Sequence, residues 1–217
     1  MTGDEKHGPA ATSTLDVVWV LYDRVLRIDP HRLDDPRRDR FYLSKGHGPM
    51  AFYAVLAAKG ILDVDLLTTF GAFDSPLGYH PDRNLLPGVE ISSGSLGHGL
   101  PLAVGTVIGN RARDLQGPRV FVLVGDGELE EGSNYEAIAF ATYASMHELT
   151  VVVVDNTSTA LAAPDGIRRR FAAEGWAVTC VDGRDHEALH RAFTLEHADR
   201  PHVVIAAVEP KETPGGR

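Results

Sequence analysis

Residues 120–156 constrain the fold more than any other stretch of this chain. An apolar run, Val120-Phe121-Val122-Leu123-Val124, stops at Gly125-Asp126-Gly127, and a second, Val151-Val152-Val153-Val154, stops at Asp155-Asn156. Between them, residues 131–141 read as a helix. Two short, β-branched-rich runs around a helical segment make a βαβ unit with parallel strands. Its right-handed crossover brings Asp126 and Asn156 to the same carboxyl edge of the sheet. An Asp and an Asn there, beside glycines that admit a ligand to the backbone, suit a hard cation held against a diphosphate.

The rest of the chain continues the alternation. Leu15, Val17, Val18, Leu21, Val25 and Leu26 recur at helical spacing, with Ser13 or Thr14 as the cap and Pro30 closing the segment. A charged turn over 34–40 leads to a short strand over 41–44, a helix from Gly46 through Ala58 and a short helix from Asp63 to Phe70. A loop-rich region, 71–99, precedes a small-residue helix over 102–109, whose glycines predict close packing against a neighbouring helix or chain. Beyond Asn156 the order is helix 167–174, strand 177–181, helix 187–195 and strand 202–208, with a polar, flexible tail over 209–217. No internal repeat and no long linker interrupts this order. The expected fold is one α/β domain over 1–217: a doubly wound, mostly parallel sheet with helices on both faces and its ligand site at the carboxyl ends of the strands.

Bulk properties narrow the function. A chain of 217 residues that is 43% hydrophobic can bury a core, and a formal charge of −9 argues against a nucleic-acid surface. The one dense basic cluster, Arg168-Arg169-Arg170, reads as a solvated helix face. The single cysteine, Cys180, excludes an intrachain disulfide and fits a reducing compartment; its apolar surroundings predict a buried strand residue. The polar start shows no signal peptide, and no apolar run approaches the ~20 residues that span a bilayer. A cytoplasmic protein that binds neither membrane nor nucleic acid is expected.

Four motifs then fall in one order. Leu43-Ser44-Lys45-Gly46-His47 is followed by Tyr53, then by Gly78-Tyr79-His80-Pro81. Pro87-Gly88-Val89-Glu90 runs into Gly94-Ser95-Leu96-Gly97-His98-Gly99, and Gly125-Asp126-Gly127-Glu128-Leu129-Glu130-Glu131-Gly132 is followed by Glu136 and Asn156. In this order and spacing the chain resembles the diphosphate-binding half of transketolases, the thiamine diphosphate enzymes that move two-carbon ketol units. The resemblance runs from about His7 to the end.

What the resemblance implies is specific. Asp126 and Asn156, 156 − 126 = 30 positions apart, ligate Mg²⁺ with a backbone carbonyl near Ser158, the remaining octahedral positions going to diphosphate and water. Gly94, Leu96 and Gly99 cradle the thiamine diphosphate, with Gly125, Gly127 and Glu128 on its diphosphate side. His47 and His80 line the substrate channel and handle hydroxyl protons, for which neutral imidazole is suited. His7 stands in register with a family histidine nine positions before Asp16, although an N-terminal His is otherwise only exposed. His98 occupies the place of a family Gln and either bonds cofactor or substrate or simply fills that place. Lys45 either contacts phosphate or is solvated. Glu131 corresponds to a dimer-interface acid; Glu136 has that reading or the simpler one of complementing a helix N-terminus. The other histidines, His147, His186, His190, His197 and His202, read as surface residues.

Two departures matter. The arginine that in the family often precedes the loop matching Gly78–Pro81 has no equivalent in residues 70–77, which leaves open both a phosphorylated acceptor and a non-phosphorylated or otherwise unusual one. The chain also has no room for the second, pyrimidine-binding domain, whose glutamate promotes ylide formation. The resemblance therefore implies a split enzyme: an N-terminal component that works with a C-terminal, pyrimidine-domain subunit, as α₂β₂, on a small sugar or related substrate. The alternatives are the α subunit of a 2-oxoacid decarboxylating dehydrogenase, which shares the Asp…Asn site, and a non-catalytic paralogue.

Overall fold

Strand side chains alternate faces, and in this chain both faces are apolar, which requires helices on each side of the sheet. A computed structural model describes residues 8–159, 165–197 and 199–210, with backbone only for 8–11. Five strands, β1 (Arg40–Leu43), β2 (Val120–Gly125), β3 (Leu149–Asp155), β4 (Ala177–Asp182) and β5 (His202–Ala207), lie in the order β1-β2-β3-β5-β4. Every pairing is parallel. The expected doubly wound sheet is present.

Helices α1 (Gly8–Val20), α2 (Pro49–Ala58) and α6 (His186–Phe193) cover one face. They pack on Phe41, Leu43, Phe121, Leu123, Val152, Val154 and Val204. Helices α3 (Gly99–Ala112), α4 (Gly132–Tyr143) and α5 (Gly166–Ala173) lie with the alternate set, Tyr42, Val120, Val122, Val124, Val151, Val153 and Val203. On this side Phe171 meets Trp176 edge-on at 5.0 Å, and the Trp176 indole N–H donates to the Ile138 carbonyl. At the amino edge of the sheet the buried Asp39 carboxylate holds Arg27 and Arg119, tying the segment before β1 to the start of β2.

Several expectations change. The first helix starts at Gly8, not at Ser13, so Ser13 and Thr14 lie within it, buried, and do not cap it. Its last turn widens into a π-turn over Leu21–Val25, closed by the Leu26 amide on the Leu21 carbonyl. Gly105 and Gly109 face open space, an added Cβ meeting nothing beyond their own helix within 4 Å, so their small size serves no neighbouring helix among the described residues. Cys180 is exposed because β4 is the edge strand. His202 is buried, the reverse of the surface reading, because it opens the inner strand β5, where its ring bonds the Thr179 hydroxyl at 2.9 Å and stacks on His197. Arg170 is not merely solvated: its guanidinium lies 4.1 Å from the Tyr135 ring centre and donates to the Leu129 carbonyl. The tail beyond residue 210 lies outside the described residues, while Glu209 bonds Arg184. Among the described residues no helix is long and apolar enough to cross a membrane.

Candidate functional site

Parallel strands leave their carboxyl ends unpaired along one edge, and there the chain forms a cleft of about 260 Å³. The register that sets Gly125 beside Val154 delivers Asp126 and Asn156 to the cleft together. After Asn156, Thr157 adopts a left-handed conformation (φ 55°), turning the chain back across the edge. Ser158 then donates to Asp126 twice, from its amide and its hydroxyl, each at 2.5 Å, and the Thr159 amide adds a third bond at 3.2 Å.

Asp126 is 2% exposed and Asn156 is 6% exposed. The Asn156 Oδ1 is buried with no hydrogen-bond partner among the described residues. A buried acceptor left unpaired costs about 1–3 kcal/mol, and such groups are rare without a functional reason. Beside a buried carboxylate, an orphaned amide oxygen is the donor set of a hard, oxygen-seeking cation. Among the described residues no three His, Cys, Asp or Glu side chains converge on a metal position. Two oxygen donors suit a hard cation that takes few of its ligands from protein.

The opposite wall is built from glycines. Gly94 (φ +128°) lies against the His80 ring, and a Cβ on Gly46 would meet Leu96, the Gly94 carbonyl and His80. Gly46, His47, His80, Gly94 and Leu96 therefore share the cleft with Gly125, Asp126, Gly127 and Ser158. His47 and His80 are exposed on its rim. Tyr79, beside His80, packs edge-on against Phe70 at 5.4 Å and covers Gly71, where a Cβ would stand 3.4 Å from its hydroxyl.

Lys45 is buried, not solvated. Its side chain is 8% exposed and lines the cleft against Gly125, while its ammonium donates to Thr14 and Ser13 at 3.1 and 3.2 Å. Those hydroxyls, freed from capping duty, anchor the lysine.

Glu128 lies in the 3₁₀ turn that follows Asp126 and is 3% exposed. Its carboxylate accepts from the Ser44 hydroxyl, the Gly97 amide at 3.0 Å and the Gly125 amide at 3.3 Å. Burial pushes this carboxyl up from its ordinary value, the three donors pull it back, and the Glu131 charge adds a smaller push upward.

Other sequence candidates fall elsewhere. Gly99 does not line the cleft: its amide donates to Ser44 Oγ at 3.0 Å, and a Cβ there would lie 2.2 Å from the Ser44 Cβ, so this glycine serves close packing. His98 turns away because its Nδ1 bonds the Ser95 and Leu96 carbonyls of its own loop, both at 3.2 Å. Glu131 packs over Gly97, and both Glu131 and Glu136 are exposed on this chain. His7 lies outside the described residues. Ser44, read only as part of a motif, is the connection sequence reasoning missed; its place between an apolar strand end and a required glycine was the available signal.

Known proteins resemble this chain in sequence and fold. The family model for "Transketolase, thiamine diphosphate binding domain" matches residues 3–209. The chain is 54% identical over 208 residues to a protein of Rhodococcoides fascians named "Ferredoxin fas2", covering 96% of this chain and 68% of that protein. It is 36% identical over 208 residues to an apulose-4-phosphate transketolase subunit of Actinobacillus succinogenes, covering 92% of this chain and 75% of that one. A solved transketolase of Campylobacter jejuni superposes with a TM-score of 0.79 at 29% identity, over 88% of this chain and 32% of that one. The chain thus spans about a third of the length of that solved enzyme.

Proposed function

The chain belongs to the transketolase thiamine-diphosphate-binding family, and from that premise we propose that it is the N-terminal component of a two-chain transketolase, holding thiamine diphosphate and Mg²⁺ and transferring a two-carbon ketol unit from a ketose to an aldehyde. The observation that carries this reading is the orphaned Asn156 Oδ1 beside the Asp126 carboxylate, across the cleft from the glycine-lined wall. Asp126, Asn156 and the Ser158 carbonyl would hold the metal. Gly94, Gly125 and Gly127 admit the cofactor to the backbone, and Leu96 offers it an apolar contact. Bound thiamine diphosphate would supply the carbanion-stabilising chemistry. His47 and His80, at the rim, would bind substrate hydroxyls and move their protons; His7 is assigned there by register alone.

A relative's name supports a partner chain. The relative in Actinobacillus succinogenes is named as one subunit of its transketolase, and this chain covers 75% of it. The outer faces of α3 and α4 leave Leu102, Ile108, Tyr135, Phe140 and Tyr143 exposed, with Gly105 and Gly109 open between them. That surface and the exposed Glu131 support contacts with further chains, in an α₂β₂ assembly whose other subunit brings the pyrimidine domain and its glutamate. The transketolase relatives favour ketol transfer over 2-oxoacid decarboxylation, and the complete Asp126–Asn156 pair weighs against a non-catalytic paralogue. The ferredoxin name does not carry over: an iron–sulfur cluster takes about four thiolates, and this sequence has one cysteine. The same lone thiol supports a cytoplasmic setting.

The test is a ketol-transfer assay run with the chain alone and with a pyrimidine-domain subunit, beside a 2-oxoacid decarboxylation assay. Transfer that requires both chains is expected. Normal transfer by this chain alone, or decarboxylation without transfer, would overturn the reading.

A further inference from the structure

We propose that Glu128 is a positioning residue of the cleft, whose carboxylate, with Ser44, clasps the Gly94–Gly99 loop to the end of β2 and so sets where Leu96 stands relative to Asp126. The reading of the cleft as a thiamine diphosphate site enters only in what the clasp does for affinity; the clasp itself belongs to the free protein.

The clasp is a short chain of hydrogen bonds. Glu128 Oε1 accepts from both the Ser44 hydroxyl and the Gly97 amide, and Oε2 accepts from the Gly125 amide. Ser44 Oγ in turn accepts from the Gly99 amide. One carboxylate therefore joins the end of β1, the glycine loop and the end of β2. The relay exists only because Gly99 has no Cβ, since one would overlap Ser44. Gly97, in a left-handed conformation (φ +80°), lies so close to Glu131 and Ser133 that a Cβ would sit 2.7 Å from each. Ser133 adds a bond from its hydroxyl to the Gly97 carbonyl at 2.6 Å. Gly97 is thus gripped on its amide by Glu128 and on its carbonyl by Ser133. The Asn134 side-chain amide, at 2.7 Å from the Glu128 carbonyl, fixes the turn that carries the carboxylate.

The distribution of bonds makes the inference testable at atomic level. In Glu128→Gln, a side-chain oxygen at the Oε1 position keeps Ser44 and Gly97, while the amide nitrogen opposes the Gly125 N–H. Glu128→Ala loses all three, and Ser44→Ala removes the acceptor for Gly99 and one donor to Glu128 but leaves the Gly97 and Gly125 amides on the carboxylate. Amide hydrogen exchange in the free chain should rise about tenfold or more at Gly97 and Gly99 in Glu128→Ala. Protection at Gly97 should return in Glu128→Gln, and Ser44→Ala should loosen Gly99 with Gly97 still protected. Exchange at Val151–Val154 in β3 should not change, which separates the clasp from general loosening. With the partner subunit present, thiamine diphosphate affinity should follow Gly97 protection, weakened in Ala and restored in Gln. If Glu128→Ala does not fold, the Gln and Ser44 variants carry the test. Unchanged exchange at Gly97 and Gly99 in the Ala variant, or a Gln variant indistinguishable from Ala, would overturn the proposal. If the exchange pattern holds while the unchanged protein binds no thiamine diphosphate, the clasp stands and the cofactor reading fails.

Discussion

Gly94 and His80 set one another's position. At φ +128° the Gly94 backbone runs so close to the imidazole that a Cβ would fall 2.9 Å from the ring's Cγ. Any side chain at 94 is both strained in backbone and driven into His80. Gly94→Ala should therefore lower stability by about 1–3 kcal/mol, read as a shift in the urea midpoint. It should also displace His80 and cut ketol transfer more than the stability loss explains.

Asn156 separates function from stability. Its Oδ1 is buried without a partner among the described residues, so the metal-free fold gains little from it. The near-isosteric Asn156→Leu should leave the stability of the metal-free chain unchanged or raise it by about 1 kcal/mol or less. Cofactor binding in the presence of Mg²⁺ should weaken by about a hundredfold or more. Calorimetry and a melting curve on the same sample check both halves.

At the opposite edge of the sheet, Asp39 has a purely structural role. Burial alone would raise its carboxyl, but the Arg27 and Arg119 side chains and backbone amides outweigh burial and hold it below the ordinary value. Asp39→Ala should destabilise by about 3 kcal/mol, near the low end for a broken buried pair because both arginines reach water. Denaturant unfolding measures this, and the effect on cofactor affinity should be small.

His202 makes the fold sensitive to acid. Burial, with a smaller push from His197, lowers its ring to about 4 from an ordinary 6.5. The unfolded chain therefore takes up this proton first as pH falls. The stability the neutral ring contributes is complete above pH 6.5 and is lost toward pH 4, by up to about 3 kcal/mol. The gap in unfolding free energy between the unchanged protein and His202→Gln should narrow or reverse over that interval. A gap independent of pH would show that His202 is already protonated or exposed.

What the sequence revealed depended on whether local pattern or tertiary contact decides a residue's place. The strand-helix-strand around Asp126 and Asn156 was legible because β-branched runs, their length and their stop residues fix both strand and register. Packing between distant segments was not. Ser13 looked like a cap, since Ser often starts helices, but Lys45 arrives from 32 positions away to take its hydroxyl. His202 looked like a surface histidine because nothing near it in sequence says that β5 lies inside the sheet. Cys180 failed the other way, its apolar neighbours hiding that β4 is an edge. Gly99 was drawn toward the cofactor by motif position, whereas its packing on Ser44 decides where it goes. Glu128 was visible as a site residue but not as a clasp, because its partners come from three separate turns.

The central claim is that Asp126 and Asn156 hold Mg²⁺ for thiamine diphosphate. Titration of thiamine diphosphate into the chain and its pyrimidine-domain partner tests it directly, with Mg²⁺, with a chelator and with Asp126→Ala. Binding that needs Mg²⁺ and disappears in both the chelated sample and Asp126→Ala is predicted. Equal binding in all three, or none with Mg²⁺ and the unchanged chain, would contradict it.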